Sequence, residues 1–343
     1  MGAMWLSGRD FWEQFSEGIG FKTGLVLSHE ELTRILTRGG FSDFAELPND
    51  QEHGIRIRSE TYEEIFTSAL HQLGRREQPH RPFPAIDIHH KYKHDQKKYK
   101  VAMEVVQRCL ADIDSKQRID SKQREPTVEP LDLTPIAMRM IQEFGSFGGK
   151  VAIEFLSGLQ AALVASPWNE VRDIVWENEI ALRELFEAER LLAPPGSFLD
   201  QRYIDYLHRN FEDIDSIHWR QFEALTAEFF KREGYNVELG PGRNDDGVDV
   251  RAWTNDPSDG APPNVIAQCK RQKAPVDKVI LKALYADVVH EKADSGLIVT
   301  TSRLSVGARE VKRARGYPIQ EADRATLRAW LANLRRPGAG YVP

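Results

Sequence analysis

Asp249 stands near the end of one apolar strand pattern, and the next such pattern carries Gln268 and Lys270 two positions apart. Side chains alternate along a strand, so Gln268 and Lys270 face one side and Cys269 the other, while Val248 and Val250 point opposite to Asp249. Pairing of the two strands lets Asp249, Gln268 and Lys270 converge. Such a set suits hydrolysis of a phosphodiester. The substrate is negative and resists a negative nucleophile; a divalent ion held by oxygen ligands neutralises it and lowers the pKa of bound water. Asp249 is then the main anionic ligand, because Gln268 offers an amide oxygen but neither charge nor a useful proton acceptor. Lys270 puts a positive charge beside the attacking water or the developing phosphorane. Glu223 adds a second carboxylate from the edge of a helix's apolar face, with a plain solvated helix position as its alternative reading.

The elements that must hold these residues begin with a helix over 218–233, whose Trp219, Phe222, Leu225, Phe229 and Phe230 share a face. Strands follow at 237–239, 248–253 and 265–270, then a helix over 276–289 with apolar residues at 276, 280, 284 and 288. An apolar strand of the fully buried kind spans 296–300. A basic helix at 306–315, a short strand at 317–320 and a helix at 325–334 complete the series. The order αβββαβ, then αβα, predicts an α/β fold: a mixed sheet flanked by helices.

Read together, Phe222-Glu223, Gly234-Tyr235, Asp245-Asp246-Gly247-Val248-Asp249, Gln268-Cys269-Lys270-Arg271 and Thr300-Thr301-Ser302 resemble the Mrr-like branch of the PD-(D/E)xK restriction-endonuclease superfamily. The resemblance covers roughly 217–335, about a third of the chain. It implies a restriction-endonuclease-like fold with a site of Asp249, Gln268 and Lys270, joined by Glu223. Asp249, Gln268 and Glu223 are the expected ligands of Mg²⁺, with Mn²⁺ able to substitute. Gln in place of the acidic residue of the (D/E)xK pair is common in this branch. Gly247 permits a tight approach to the strand, Asp245 reads equally as a site carboxylate or a turn former, and Asp246 as a turn former. The loop 254–264, with Pro257, Pro262 and Pro263, departs from the family and shapes substrate access.

Candidate nucleic-acid contacts are Arg243, Arg271, Ser302, Arg303 and Lys312. Ser, Thr and helix N-termini bind phosphate well, although Ser305 also reads as a helix cap, and Lys312, Arg313 and Arg315 as a solvated face. The net charge of −6 argues weakly against a nucleic-acid partner, but it is unevenly spread. Residues 216–343 hold 20 Lys and Arg against 16 Asp and Glu (+4), and residues 1–215 hold 26 against 36 (−10). A local basic footprint is compatible with that balance.

Residues 1–200 are expected as a mainly α-helical region, with a sub-boundary near 75–88 where Pro79, Pro82 and Pro84 cluster; residues 201–216 are expected as a linker and 217–337 as the nuclease domain. Short helices and loops are predicted to about residue 75. They include a helix starting at Ser28-His29-Glu30-Glu31 and another over 60–73 with Tyr62, Ile65, Phe66 and Leu70 on its face. Longer helices are predicted at 134–163 and 168–193, a break at Ala193-Pro194-Pro195-Gly196-Ser197, and a short helix at 199–211. Ile113–Arg118 is repeated once as Ile119–Arg124, too few copies for a solenoid. His89, His90 and His94 lack ligand partners at metal-binding spacing. The Lys-rich stretch 91–100, with Tyr92 and Tyr99, reads as a solvated helix start or a nucleic-acid contact. Gly145–Lys150 has the wrong spacing for a phosphate loop.

An apolar share of 41% and a charged share of 29% are ordinary for a globular protein. No run of roughly 18 apolar residues suggests a membrane span, and Met1-Gly2-Ala3-Met4 reads as an expression scar without a secretory pattern. Two distant cysteines, Cys109 and Cys269, suit free thiols in a reducing cytoplasm. The expectation is a cytoplasmic, homo-oligomeric endonuclease acting on DNA, most simply double-stranded, with no membrane partner. The resemblance implies bacterial restriction or anti-phage defence, with residues 1–200 sensing a protein partner or a small activator. The alternatives are a non-cleaving nucleic-acid-binding subunit and a structure-specific nuclease for repair junctions.

Overall fold

The computed structural model describes residues 2–80, 82–120, 133–172, 176–191, 193–242, 247–257 and 261–335, with side chains left out at 114–120. The chain divides into two compact units, one built mainly from residues 1–24 and 29–179, the other from 25–28 and 180–337.

The first unit is mainly helical, with one addition the sequence did not reveal: Ala3–Ser7 and Gly54–Arg58 form an antiparallel strand pair. Ser7 ends its strand and caps the helix Gly8–Thr23, its hydroxyl accepting from the Asp10 N–H at 3.1 Å. That helix buries Phe11, Phe15 and Ile19 with Tyr62, Ile65, Phe66 and Leu70 of the helix Ser59–Gln72, all of the expected face. A second core lies among the helices Pro84–Tyr92, Gln96–Asp120 and Thr134–Ala165, with Val105, Cys109, Met140, Val151 and Phe155 at its centre. Length and composition alone put Thr134–Ala165 in the range of a membrane-crossing helix. Its buried face is nevertheless part of this core, and Gly145 (φ 69°) breaks it. The helix runs through the first hexapeptide copy and into the second as far as Asp120; the rest of the repeat lies outside the described residues.

The helix expected at 168–193 does not form. Among its described residues are only the two-residue strand Ile180–Ala181, parallel to Leu25–Val26, and the short helix Glu184–Glu187. Tertiary partners take the backbone groups that a helix would use: the Leu182 N–H donates to Val26 O, Tyr203 Oη to Ala181 O, the His218 N–H to Leu185 O, and Gln221 Nε2 to Ala188 O and Arg190 O. Nor are residues 201–216 an extended tether. Helix Gln201–Arg209 and a 3₁₀ turn at Phe211–Asp215 bury Tyr203, Ile204, Tyr206, Leu207, Phe211 and Ile214 within the second unit.

The rest of the second unit follows the expected order. We number its elements α1 (Trp219–Arg232), β1 (Asn236–Leu239), β2 (Val250–Trp253), β3 (Val265–Lys270), α2 (Lys278–His290), β4 (Ser295–Thr300), α3 (Val306–Arg315), β5 (Ile319–Ala322) and α4 (Arg324–Leu334). The sheet order is β1-β2-β3-β4-β5, antiparallel from β1 to β3 and parallel from β3 to β5. Val248, Ile266 and Ile298 pack beneath Leu281, Leu284 and Val288 of α2 and Ala308 of α3. On the other face α1 lies over β1 to β3 and α4 beside β5, joined by the stacked rings of Phe229 and Trp330 at 3.9 Å. Helix α2 starts two residues later than expected, because Asp277 caps it while Val276 pairs with Leu304 in a parallel bridge.

Candidate active site

Helix α1 is amphipathic, and its buried face carries Phe222 and Leu225 together with Glu223, which is only 6% exposed. A carboxylate buried on an apolar face must find partners. Arg220, one turn earlier, donates from Nη1 to Glu223 Oε2 at 2.8 Å, with both side chains largely buried. The second neighbour is the Asp249 carboxylate, also 6% exposed.

Asp249 is fixed through its backbone and its side chain. Its N–H donates to Ala267 O at 2.9 Å, its carbonyl accepts from the Gly240 N–H at 2.8 Å, and Oδ2 accepts from the Cys269 N–H at 2.6 Å. The carboxylate therefore sits against β3 at the peptide between Gln268 and Lys270. Two glycines make the approach possible. A Cβ at Gly240 would lie 2.9 Å from Val248 O. A Cβ at Gly247, whose φ is +91°, would lie 2.7 Å from Gln268 Nε2.

Gln268 is 6% exposed, and its Oε1 has no hydrogen-bond partner among the described residues. A native protein rarely leaves such an oxygen orphaned unless something else binds it. Lys270 is half-buried; its carbonyl accepts from Thr300 Oγ1 at 2.8 Å, and its ammonium makes no ion pair among the described residues. Cys269 turns the other way, donating from Sγ to Thr226 Oγ1 of α1 at 3.3 Å.

Electrostatically the site is short of positive charge. Burial, and then the neighbouring Asp249 carboxylate, raise the Glu223 pKa to about 8 in spite of Arg220. Burial and Asp249 also push the Cys269 thiol well above its usual range. Among the described residues no three His, Cys, Asp or Glu side chains form a metal-binding group, so a cation here needs the amide as well. Asp249, Glu223 and the Gln268 amide would supply oxygen donors only, the kind Mg²⁺ takes. The mutual repulsion of the two carboxylates is what a divalent ion would relieve.

The remaining candidates are more scattered. Arg243, Asp245 and Asp246 lie outside the described residues. Arg271 Nη1 donates to Asp215 O at 2.7 Å. Ser302 braces its loop, with its N–H donating to Thr300 Oγ1 and its hydroxyl to Lys273 O. Arg303 is exposed in the same loop. Ser305 caps α3, accepting from the Ala308 N–H. Lys312 lies two turns along α3, in a groove of about 360 Å³ with Arg309, Arg313 and Tyr317. The structure therefore brings Glu223 and Asp249 together against the Cys269 peptide, puts Gln268 and Lys270 at the same stretch of β3, and leaves Lys312 at the far end of its helix.

Sequence reasoning missed Arg220 and Gly240; Thr301, part of the expected Thr300-Thr301-Ser302 motif, links the β3 and β4 loops through Gln272. Only Arg220 had a signal, its i,i+3 spacing to Glu223.

Residues 214–331 match the family model Mrr_cat, described as a restriction endonuclease. No curated protein matches the chain. Among solved structures, the MspJI restriction endonuclease in complex with a 27-mer oligonucleotide aligns at 18% identity with a TM-score of 0.28. That alignment covers 59% of this chain and 46% of the other, so it takes in less than half of that enzyme.

Proposed function

We propose, from the match of residues 214–331 to a restriction-endonuclease family model, that the protein is a Mg²⁺-dependent endodeoxyribonuclease, with Mn²⁺ able to substitute, acting on double-stranded DNA. The observation that carries this reading is the buried Asp249–Glu223 carboxylate pair held against the Cys269 N–H of β3.

Asp249, Glu223 and Gln268 Oε1 are the groups that would hold the ion. Once bound, it supplies charge neutralisation of the phosphodiester and activation of water at neutral pH. The peptide N–H of Cys269 holds the Asp249 carboxylate in place. Arg220 orients Glu223 and keeps it from turning away. Lys270, without a competing carboxylate among the described residues, offers its ammonium to the scissile phosphate as charge develops. The packed faces of α1 and β3 shield these groups from bulk water, which strengthens each of those interactions.

Restriction or anti-phage defence is the setting we infer for this activity, in a cytoplasmic homo-oligomer whose N-terminal region senses a partner or a small activator. Plasmid and linear duplex digestion with Mg²⁺ or Mn²⁺ tests the core of the reading, comparing the wild type with Asp249→Ala and Lys270→Ala. Cleavage by the wild type alone is expected. Variants that cut as well as the wild type would refute the site. A wild type that binds duplex but never cuts, with any candidate activator added, would make the protein a non-cleaving binding subunit instead.

A further inference from the structure

The N-terminal unit carries a basic surface that the nuclease site does not use. Between His89 and Lys100 the chain holds five lysines, three histidines and one aspartate, within a region, residues 1–215, whose net charge is −10. These residues form the corner between the helices Pro84–Tyr92 and Gln96–Asp120. The apolar residues near the corner turn inward: Ile88, Tyr92, Ala102, Val105 and Val106 are core, so the lysines are left outside. Lys91, Lys93, Lys97, Lys98 and Lys100 are all exposed.

Two of the five are neutralised within the protein, Lys91 by Glu154 at 2.6 Å and Lys98 by Asp95 at 3.1 Å. Lys93, Lys97 and Lys100 face no carboxylate among the described residues; Lys93 has only the imidazole of His90, at 3.2 Å. Lys97 and Lys100 also sit in the first turns of a long helix, where the backbone dipole disfavours cations. The placement therefore works against local stability. Beside it runs an open groove of about 1020 Å³ lined by Lys97, Lys100, Arg108, Tyr99, Met103 and Glu104. Arg108 balances Glu104 at 3.6 Å, so the unbalanced charge of the groove is that of the two lysines.

We infer that this corner is a docking surface for the phosphate backbone of duplex DNA, held by Lys93, Lys97 and Lys100. The partner is a polyanion because unpaired cations concentrate in an otherwise acidic region. A lipid surface fits less well, since the exposed apolar residues at the helix Pro84–Tyr92, Phe83 and Ile86, lie at its opposite end from Lys93, Lys97 and Lys100. The choice of DNA rests on the nuclease reading of the C-terminal unit. The surface supplies affinity without sequence preference, because phosphate contacts position a duplex but do not read it.

The test uses the full chain carrying Asp249→Ala, in EDTA, with a fluorescent 30-base-pair duplex of arbitrary sequence and anisotropy read across a salt series. Substituting Lys93→Ala, Lys97→Ala and Lys100→Ala together should flatten the slope of log K against log salt by about 2.7, at about 0.9 per lost phosphate contact. Raising salt from 50 to 200 mM should then weaken the parent by about 40-fold more than the triple variant. The matching triple Lys→Arg variant should keep the parent slope. An unchanged slope in the alanine variant would overturn the inference. So would a slope lost equally in the arginine variant, or lysine-dependent binding to phosphatidylserine vesicles without any to duplex. Failure of the nuclease reading would show separately, as wild-type protein that does not cut with Mg²⁺, and would leave the slope comparison standing.

Discussion

The titration of Glu223 makes the strongest demand on the proposed site. Its folded pKa is raised from the ordinary 4.5 to about 8. Between those values the folded protein holds a proton that the unfolded chain has already lost. Stability falls with rising pH wherever the native state binds more protons, so this group is a liability that grows from pH 4.5 to pH 8 and is constant above it. At about 1.4 kcal/mol per pH unit the full effect is on the order of 5 kcal/mol. Glu223→Gln mimics the protonated side chain in shape and can still accept from Arg220. Groups away from the Asp249–Glu223 pair and Cys269 titrate alike in both proteins. Without metal, the variant and the wild type should therefore be equally stable near pH 5. At pH 8 the C-terminal transition of the variant should lie higher, by roughly 10–20 °C at about 2–4 °C per kcal/mol for a unit of this size. Calorimetric scans of the full chain in EDTA at pH 5, 6, 7 and 8 read the difference directly. Mg²⁺ at about 100 times its Kd should add about 2.7 kcal/mol to the wild type at pH 8, and less to the variant. A difference between the two proteins that does not change with pH would refute the claim that Asp249 and burial hold Glu223 protonated. Equal stabilisation of both by Mg²⁺ would refute its role as a ligand.

Three further outcomes follow from the same geometry. Gly247→Ala should destabilise the C-terminal unit by about 1–3 kcal/mol in urea unfolding, because the backbone is left-handed there and the new methyl meets Gln268 Nε2; cleavage should fall with it. Cys109 should react with a disulfide reagent only as fast as the protein unfolds, since it is buried and its thiol is raised to about 11; a fast native burst would refute that burial. Arg251→Ala should cost about 1–2 kcal/mol in the same urea assay, because it removes the paired contacts from β2 to Glu291 of α2 at 2.7 and 2.8 Å, both partly buried.

What the sequence could reveal depended on how local the signal was. The sheet and its helices were legible because each element carries its own period and its own boundary: Val265–Lys270 and Ser295–Thr300 are apolar strands, and Ser305 and Asp323 are side-chain caps. Asp249, Gln268 and Lys270 could be named for the same reason, since they stand on or beside two neighbouring strands that do pair. The 168–193 segment failed because its periodicity is real but its hydrogen bonds are not local: Val26, Tyr203, His218 and Gln221 all bond to its backbone from elsewhere. The 201–216 stretch was misread as a linker because the polar charge of Arg202, Asp205 and Asp213 conceals that Arg202 pairs with Asp200 while Tyr206 Oη donates to Asp213. Neither pairing has a period to find. The electrostatics of the site were hidden in a deeper way. Residue types alone make Glu223 an ordinary helix carboxylate, and only the positions of Arg220 and Asp249 decide its charge. The residues that set the chemistry are thus readable one at a time, but their protonation is a property of the assembled pair. The charge state of the metal-free site at neutral pH is therefore settled by packing between α1 and β3, two elements that bring Glu223 and Cys269 together across 46 residues of chain.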